Sequence, residues 1–120
     1  MDETAVVAAY GAAWLEPDAG ERLALLETAW ADDGRYEDPT GAAEGRAALS
    51  AHIGAFHAAR PGARIEITSG VDRHHDVLRF AWRMVAADGS VAVEGIDFGV
   101  LAADGRLARI VGFFGPVPAA

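Results

Sequence analysis

The chain has 120 residues, 52% hydrophobic and 23% charged, a composition that suits one folded domain with a single core and excludes a disordered chain. Its basic residues, all arginine, number 10 against 18 acidic ones, and the net charge of -8 repels phosphate backbones and anionic headgroups. Nucleic acid and membrane surfaces are therefore not expected as partners, and the absence of cysteine removes disulfides, thiolate nucleophiles and Cys-ligated metals.

The acidic start Met1-Asp2-Glu3-Thr4 lacks the basic head and continuous apolar core of a secretory signal, and no run reaches the roughly 18 apolar residues that span a bilayer. A soluble cytoplasmic protein of one domain, residues 1–120, is the expectation. From Thr4 to Glu16, Val6, Val7, Tyr10, Trp14 and Leu15 recur at three- and four-residue spacing, which predicts a helix with Thr4 as its cap. Pro17-Asp18-Ala19-Gly20 breaks it. A second helix follows over Glu21–Ala31 with Leu23, Leu26 and Trp30 on one stripe, and Asp32-Asp33-Gly34 ends it. Arg35–Asp38 reads as a short strand, Pro39–Gly45 as a loop, and Arg46–Arg60 as a third helix facing inward with Leu49, Ile53 and Phe56.

After Pro61-Gly62 the period changes to two. Arg64–Asp72, Asp76–Ala86, Ser90–Leu101 and Arg106–Gly115 read as four strands joined by short turns, hence an antiparallel meander. Helices first and strands after predict an α+β domain. Parity puts Leu78, Phe80, Trp82 and Met84 on the inner face of the second of these strands. On the next, Asp97 shares a face with Val93, Gly95, Gly99 and Leu101, and the flanking glycines are expected to leave open space beside it. Ile96, Phe98 and Val100 then face outward, where a homodimer contact through the sheet would cover them.

Two carboxylates stand out. Asp38, in Tyr36-Glu37-Asp38-Pro39-Thr40-Gly41, sits beside an aromatic before a turn, and Asp97 lies within an apolar strand, where an ionised group must be paired, exposed or neutralised. Bland readings compete with a catalytic one: Asp38 as a turn former bonding amides two residues on, and Asp97 as the partner of Arg79 or Arg83. His52 lies on the inner face of the third helix, where a histidine bonded to backbone is an ordinary core-edge feature. His74-His75 reads as a polar turn, since adjacent residues of an extended chain point apart and chelate one metal poorly.

The element order, with Tyr36-Glu37-Asp38-Pro39, Gly45-Arg46, Asp104-Gly105-Arg106-Leu107 and Gly112-Phe113-Phe114-Gly115, resembles the nuclear transport factor 2-like superfamily over nearly the whole chain. That resemblance implies a cone-shaped fold in which N-terminal helices pack into a strongly curved, mainly antiparallel sheet enclosing one apolar pocket. Among its members the ketosteroid isomerases are similar in their Glu-Asp-Pro turn, matched by Glu37-Asp38-Pro39, in the Ile-Asp of the penultimate strand, matched by Ile96-Asp97, and in a first-helix tyrosine, matched by Tyr10. The resemblance makes Asp38 a proton shuttle, with Tyr10 and a protonated Asp97 donating to an enolate oxygen, and needs no metal or cofactor. Trp14, Tyr36, His52, Phe56, Phe80, Trp82, Met84, Ile110 and Phe114 are expected to line the pocket. Epoxide hydrolysis is disfavoured, because Ala81 and Gly112 occupy positions where epoxide hydrolases of this superfamily carry carboxylates. The expected activity is cofactor-free proton transfer alpha to a carbonyl of a hydrophobic small molecule, by isomerisation or SnoaL-like cyclisation. The alternative is a ligand-binding or dimerisation module of the same fold without catalysis.

Overall fold

A computed structural model describes residues 2–120. Three helices, α1 (Glu3–Leu15), α2 (Ala19–Ala29) and α3 (Arg46–Ala59), accompany seven strands: β1 (Trp30–Asp38), β2 (Gly41–Glu44), β3 (Arg64–Ile67), β4 (Asp72–His74), β5 (Val77–Val85), β6 (Val91–Leu101) and β7 (Leu107–Phe114). The fold is α+β, with the sheet ordered β2-β1-β7-β6-β5-β3 and β4 paired to β5. Every pairing is antiparallel except that of β1 with β7, which is parallel. No helix among the described residues is long and apolar enough to cross a membrane.

The differences from the periodicity have local causes. Asp2, not Thr4, caps α1, its carboxylate accepting the Ala5 N–H at 2.8 Å. Asp18 caps α2 in the same way through the Glu21 N–H at 2.8 Å, so Ala19 and Gly20 belong to the helix and not to the break before it. That helix ends at Ala29 because Trp30 is already extended and pairs with Leu107, so Trp30 opens β1 and is fully buried there. The expected loop contains β2: the turn at Asp38 reverses the chain, and Asp38 pairs with Gly41. The expected strand Arg64–Asp72 is two strands, because Ser69 and Gly70 leave the ladder and the Ser69 hydroxyl accepts the Ala81 N–H at 2.7 Å.

Helix packing is fixed by a buried arginine. Arg22 donates to Ser50 Oγ at 3.0 Å and to the Glu16 carbonyl at 2.9 Å, joining α2 to α3 and to the end of α1. Leu49 and Ile53 of α3 are fully buried in the same core. On β5 the inner face is Leu78, Phe80, Trp82 and Met84, as parity predicts, and on β6 Asp97 and Leu101 are buried while Ile96, Phe98 and Val100 are exposed.

The glycines beside Asp97 do not leave open space. A Cβ at Gly95 would run into the Trp82 ring and lie 2.5 Å from the Phe113 carbonyl, and one at Gly99 would lie 3.0 Å from Leu78 and 3.1 Å from Ile110. These positions are glycine because large neighbours already fill the volume. Gly95→Ala should therefore lower stability by about 1–3 kcal/mol in chemical denaturation, through displacement of Trp82 and the β7 backbone. An unchanged denaturation midpoint would show that the sheet absorbs the methyl group.

Candidate active site

Asp38 ends β1, and its two carboxylate oxygens face different ways. Oδ1 accepts from the Thr40 N–H at 2.7 Å, the Thr40 hydroxyl at 2.6 Å and the Gly41 N–H at 3.1 Å, which makes the turn. Oδ2 accepts the Tyr36 hydroxyl at 2.5 Å, and His52 Nε2 lies 3.7 Å away. The Asp38 side chain is only 6% exposed. Burial pushes its pKa up, but the nearby His52 imidazole and donation from Thr40 and Tyr36 outweigh burial and hold it below the usual carboxylate range. At neutral pH Asp38 is a carboxylate.

Asp97 has the opposite surroundings. It is 7% exposed on β6 and receives one side-chain hydrogen bond, from the Trp82 indole N–H to Oδ1 at 2.9 Å. Burial raises its pKa to about 7; the indole bond opposes this and the Asp38 charge adds to it. The expected partners Arg79 and Arg83 are engaged elsewhere, with Asp72 at 2.8 Å and Glu66 at 2.9 Å. Asp97 is therefore a buried acid without a cation among the described residues.

The register brings the two acids together. Asp97 pairs with Gly112 on β7, and β1 lies on the other side of β7 with Glu37 opposite Val111. A Cβ at Gly112 would lie 2.8 Å from Asp97 Oδ1 and 3.5 Å from the Asp38 Cβ. The missing side chain leaves the gap that Asp97 Oδ1 occupies between the strands.

Tyr10 projects from α1, stacked on Trp30 with ring centres 5.8 Å apart and edge-on to Phe80 at 6.2 Å. Its hydroxyl is buried and has no hydrogen-bond partner among the described residues. Burial, then the Asp97 charge, pushes its pKa well above the usual value, so it is a fixed donor. Burial likewise raises that of Tyr36, with further contributions from Tyr10 and Asp38.

These groups line a cavity of about 330 Å³. Of the residues expected there, Tyr10, Trp14, Tyr36, Asp38, His52, Phe56, Phe80, Trp82, Met84, Asp97 and Phe114 contribute to its wall. Ile110 does not: it is fully buried in the core, where it packs beside Gly99. His52 bonds no backbone; its ring meets Trp14 edge-on and Tyr36 at a tilt, while His57 takes the backbone contact, Nε2 lying 2.8 Å from the Trp14 carbonyl. The sequence reading missed Gly11, Thr40, Ala55, Arg60, Ile65, Ile67 and Val93 on the wall. Thr40 was legible as the residue two after the turn Asp, and Ala55 and Arg60 from the helical spacing that continues the face of His52 and Phe56.

Residues 7–110 match the SnoaL-like domain, and the chain belongs to the SnoaL-like family, within the nuclear transport factor 2-like fold. It is 32% identical over 117 residues to a steroid delta-isomerase from Nocardioides simplex, covering 94% of this chain and 93% of that one. A crystal structure from Agrobacterium tumefaciens, of a SnoaL-like protein provisionally named an isomerase, superposes with a TM-score of 0.88 at 34% identity and covers 97% of this chain and 100% of its own. A Sinorhizobium meliloti protein provisionally named a polyketide cyclase shares the fold, with a TM-score of 0.70 at 20% identity over 89% of this chain and 92% of its own.

A carboxyl whose folded pKa of about 7 exceeds its ordinary 3.8 binds more protons folded than unfolded. Its contribution to stability is whole below about pH 3.8 and is lost as pH rises to about 7, a cost on the order of 4 kcal/mol at about 1.4 kcal/mol per pH unit. Asp97→Asn, which cannot ionise, should gain thermal stability over the native chain as pH goes from 5 to 8. A melting-temperature difference constant across that range would mean that Asp97 titrates normally.

Proposed function

We propose that the protein is a cofactor-free enzyme that moves a proton at the carbon alpha to a carbonyl of a hydrophobic substrate, by ketosteroid isomerase-like isomerisation or SnoaL-like cyclisation. The observation that carries this reading is the pair of carboxyl groups sharing one apolar cavity with pKa values pushed apart, Asp38 down and Asp97 up. The ketosteroid isomerases are the known case of a carboxylic acid kept neutral in an apolar site so that it can donate a hydrogen bond. The similarity to a steroid delta-isomerase supports the same division of labour here. In this reading the sheet bends over the helices as a cone whose interior is the reaction chamber.

Asp38 Oδ2 takes the proton from the alpha carbon, and the electron pair moves onto the carbonyl oxygen as an enolate. The Tyr10 hydroxyl and the protonated Asp97 donate to that oxygen, inside a wall that excludes water. Trp82 holds Oδ1 of Asp97, leaving the other oxygen to carry the donated proton. In isomerisation Asp38 returns the proton to a different carbon; in cyclisation the enolate carbon attacks a second carbonyl, whose π pair moves to its oxygen and takes up the proton from Asp38. Because Asp97 donates only when protonated, turnover falls as pH rises through about 7.

The second reading, a binding module without catalysis, draws on one observation: Asp38 is held by several donors, which weakens it as a base. Turnover separates the two. With a 5-ene-3-ketosteroid followed by ultraviolet absorbance, Asp38→Asn should lose at least about a hundredfold in kcat, the typical contribution of a positioned base, and Asp97→Ala should lower kcat more than it raises KM. Turnover by Asp38→Asn equal to that of the native chain would remove Asp38 from the mechanism; binding of the steroid without turnover in the native chain would favour the module.

The proposal extends to assembly. Ile96, Phe98 and Phe113 are 40%, 42% and 57% exposed on the outer sheet face, with Phe98 edge-on to Phe113 at 6.0 Å, and a second copy of the chain is the occupant that the fold favours. Sedimentation should show a dimer that Phe113→Glu dissociates, and a native monomer at micromolar concentration would refute it.

A further inference from the structure

The cavity extends along α3 well beyond the two carboxylates. His52, Ala55, Phe56 and Arg60 all contribute to its wall, at spacings of three, four and eight residues that put them on one side of the helix. At 1.5 Å rise per residue, the eight residues from His52 to Arg60 place the arginine about 12 Å along the axis from the histidine that neighbours Asp38. Phe56 lies between them on the helix, and the apolar strand residues Ile65 and Ile67 also contribute to the wall.

Arg60 differs from the other arginines. Every other surface arginine in the described residues is ion-paired to a carboxylate, and the buried Arg22 is bonded to Ser50 and the Glu16 carbonyl. The Arg60 side chain has neither an ion pair nor a hydrogen bond among the described residues, and the residue is exposed and contributes to the cavity wall. In a chain of net charge -8, carboxylates are abundant, so an arginine without one at a cavity wall stands out. A favourable interaction with the C-terminal end of α3, which Arg60 caps, explains a positive charge at this position but not its place on the cavity wall.

We propose that Arg60 forms an anion subsite at the solvent end of the cavity, and that the substrate is an apolar carbonyl compound carrying a carboxylate at the end remote from the reacting carbon. This rests on the reading of Asp38 and Asp97 as the reactive end. The guanidinium supplies a planar pair of N–H donors that matches a carboxylate, and the approximate 12 Å offset keeps the substrate's charge away from ionised Asp38. The apolar stretch between the ends accepts a rigid hydrocarbon body, so the two polar ends fix its direction and present its carbonyl to Tyr10 and Asp97.

The test compares two ligands of one skeleton, 3-oxoandrost-4-ene-17β-carboxylic acid and its methyl ester, with binding read by quenching of tryptophan fluorescence, Trp14 and Trp82 being part of the wall. The native chain should bind the acid about two- to fivefold more tightly than the ester, the range for a partly exposed ion pair. Arg60→Ala should abolish that preference, Arg60→Lys should retain part of it, and added salt should weaken the acid selectively. An acid-to-ester ratio that is the same in the native chain and in Arg60→Ala would overturn the subsite while leaving the reactive end as argued. Failure of both ligands to bind the native chain would overturn the cavity reading, and the subsite with it.

Discussion

Gly112 is the constraint on which the site depends. Asp38 belongs to β1 and Asp97 to β6, with β7 between them, so their backbones are separated by two strand spacings, about 9–10 Å. Any side chain on the inner face of β7 at this level would stand between the carboxyl groups. At Gly112 there is none, and Asp97 Oδ1 comes within 2.8 Å of where a Cβ would be. The parallel pairing of β1 with β7, the one such pairing in the sheet, brings the end of β1 to the same level. One absent methyl group and one strand direction thus decide that two carboxyl groups share a cavity.

Their environments then divide the roles. Asp38 has two backbone amides, two hydroxyls and a nearby imidazole around it, whereas Asp97 has one indole. Hydrogen bonds to a carboxylate favour its charged form, and burial without them favours the neutral one. The turn-forming role of Asp38 is therefore not an alternative to a chemical role. The turn supplies the donors on Oδ1, while Oδ2 meets the Tyr36 hydroxyl and lies near His52, both part of the cavity wall.

The three helices, the long strands β5, β6 and β7, the inner face of β5 and both faces of β6 were legible in the sequence because period and parity are local properties, whereas β2 and the division of β3 from β4 were not. Asp38 and Asp97 were legible too, since a carboxylate in an apolar setting is conspicuous whatever the fold. Register was not legible. Nothing local says that Gly112 faces Asp97, that Ile110 packs beneath Gly99, or that the Trp82 ring covers Gly95, because each depends on how strands align across the sheet. The glycines of β6 suggested empty space for the same reason: a sequence shows a missing side chain but not the neighbour that fills its place. The end of α2 failed on a related point, since Trp30 fits a helical stripe equally well and only its pairing with Leu107 makes it a strand residue.

The charge balance of the cavity connects these features to the proposed chemistry. With Asp38 ionised and Asp97 neutral, the two carboxyl groups together carry one negative charge, and the Asp38 charge itself helps to keep Asp97 protonated. In the proposed reaction Asp38 would lose its charge on accepting the substrate proton, and an equal one would form on the enolate oxygen. The net charge is conserved and only its position changes, away from the Thr40 and Gly41 donors and toward Tyr10 and Asp97. A cavity wall that cannot reorganise as water does needs donors already in place at both positions. The Tyr10 hydroxyl, buried with no hydrogen-bond partner among the described residues, is such a donor in the proposed reaction: an unsatisfied buried group costs about 1–3 kcal/mol, and the enolate oxygen would satisfy it.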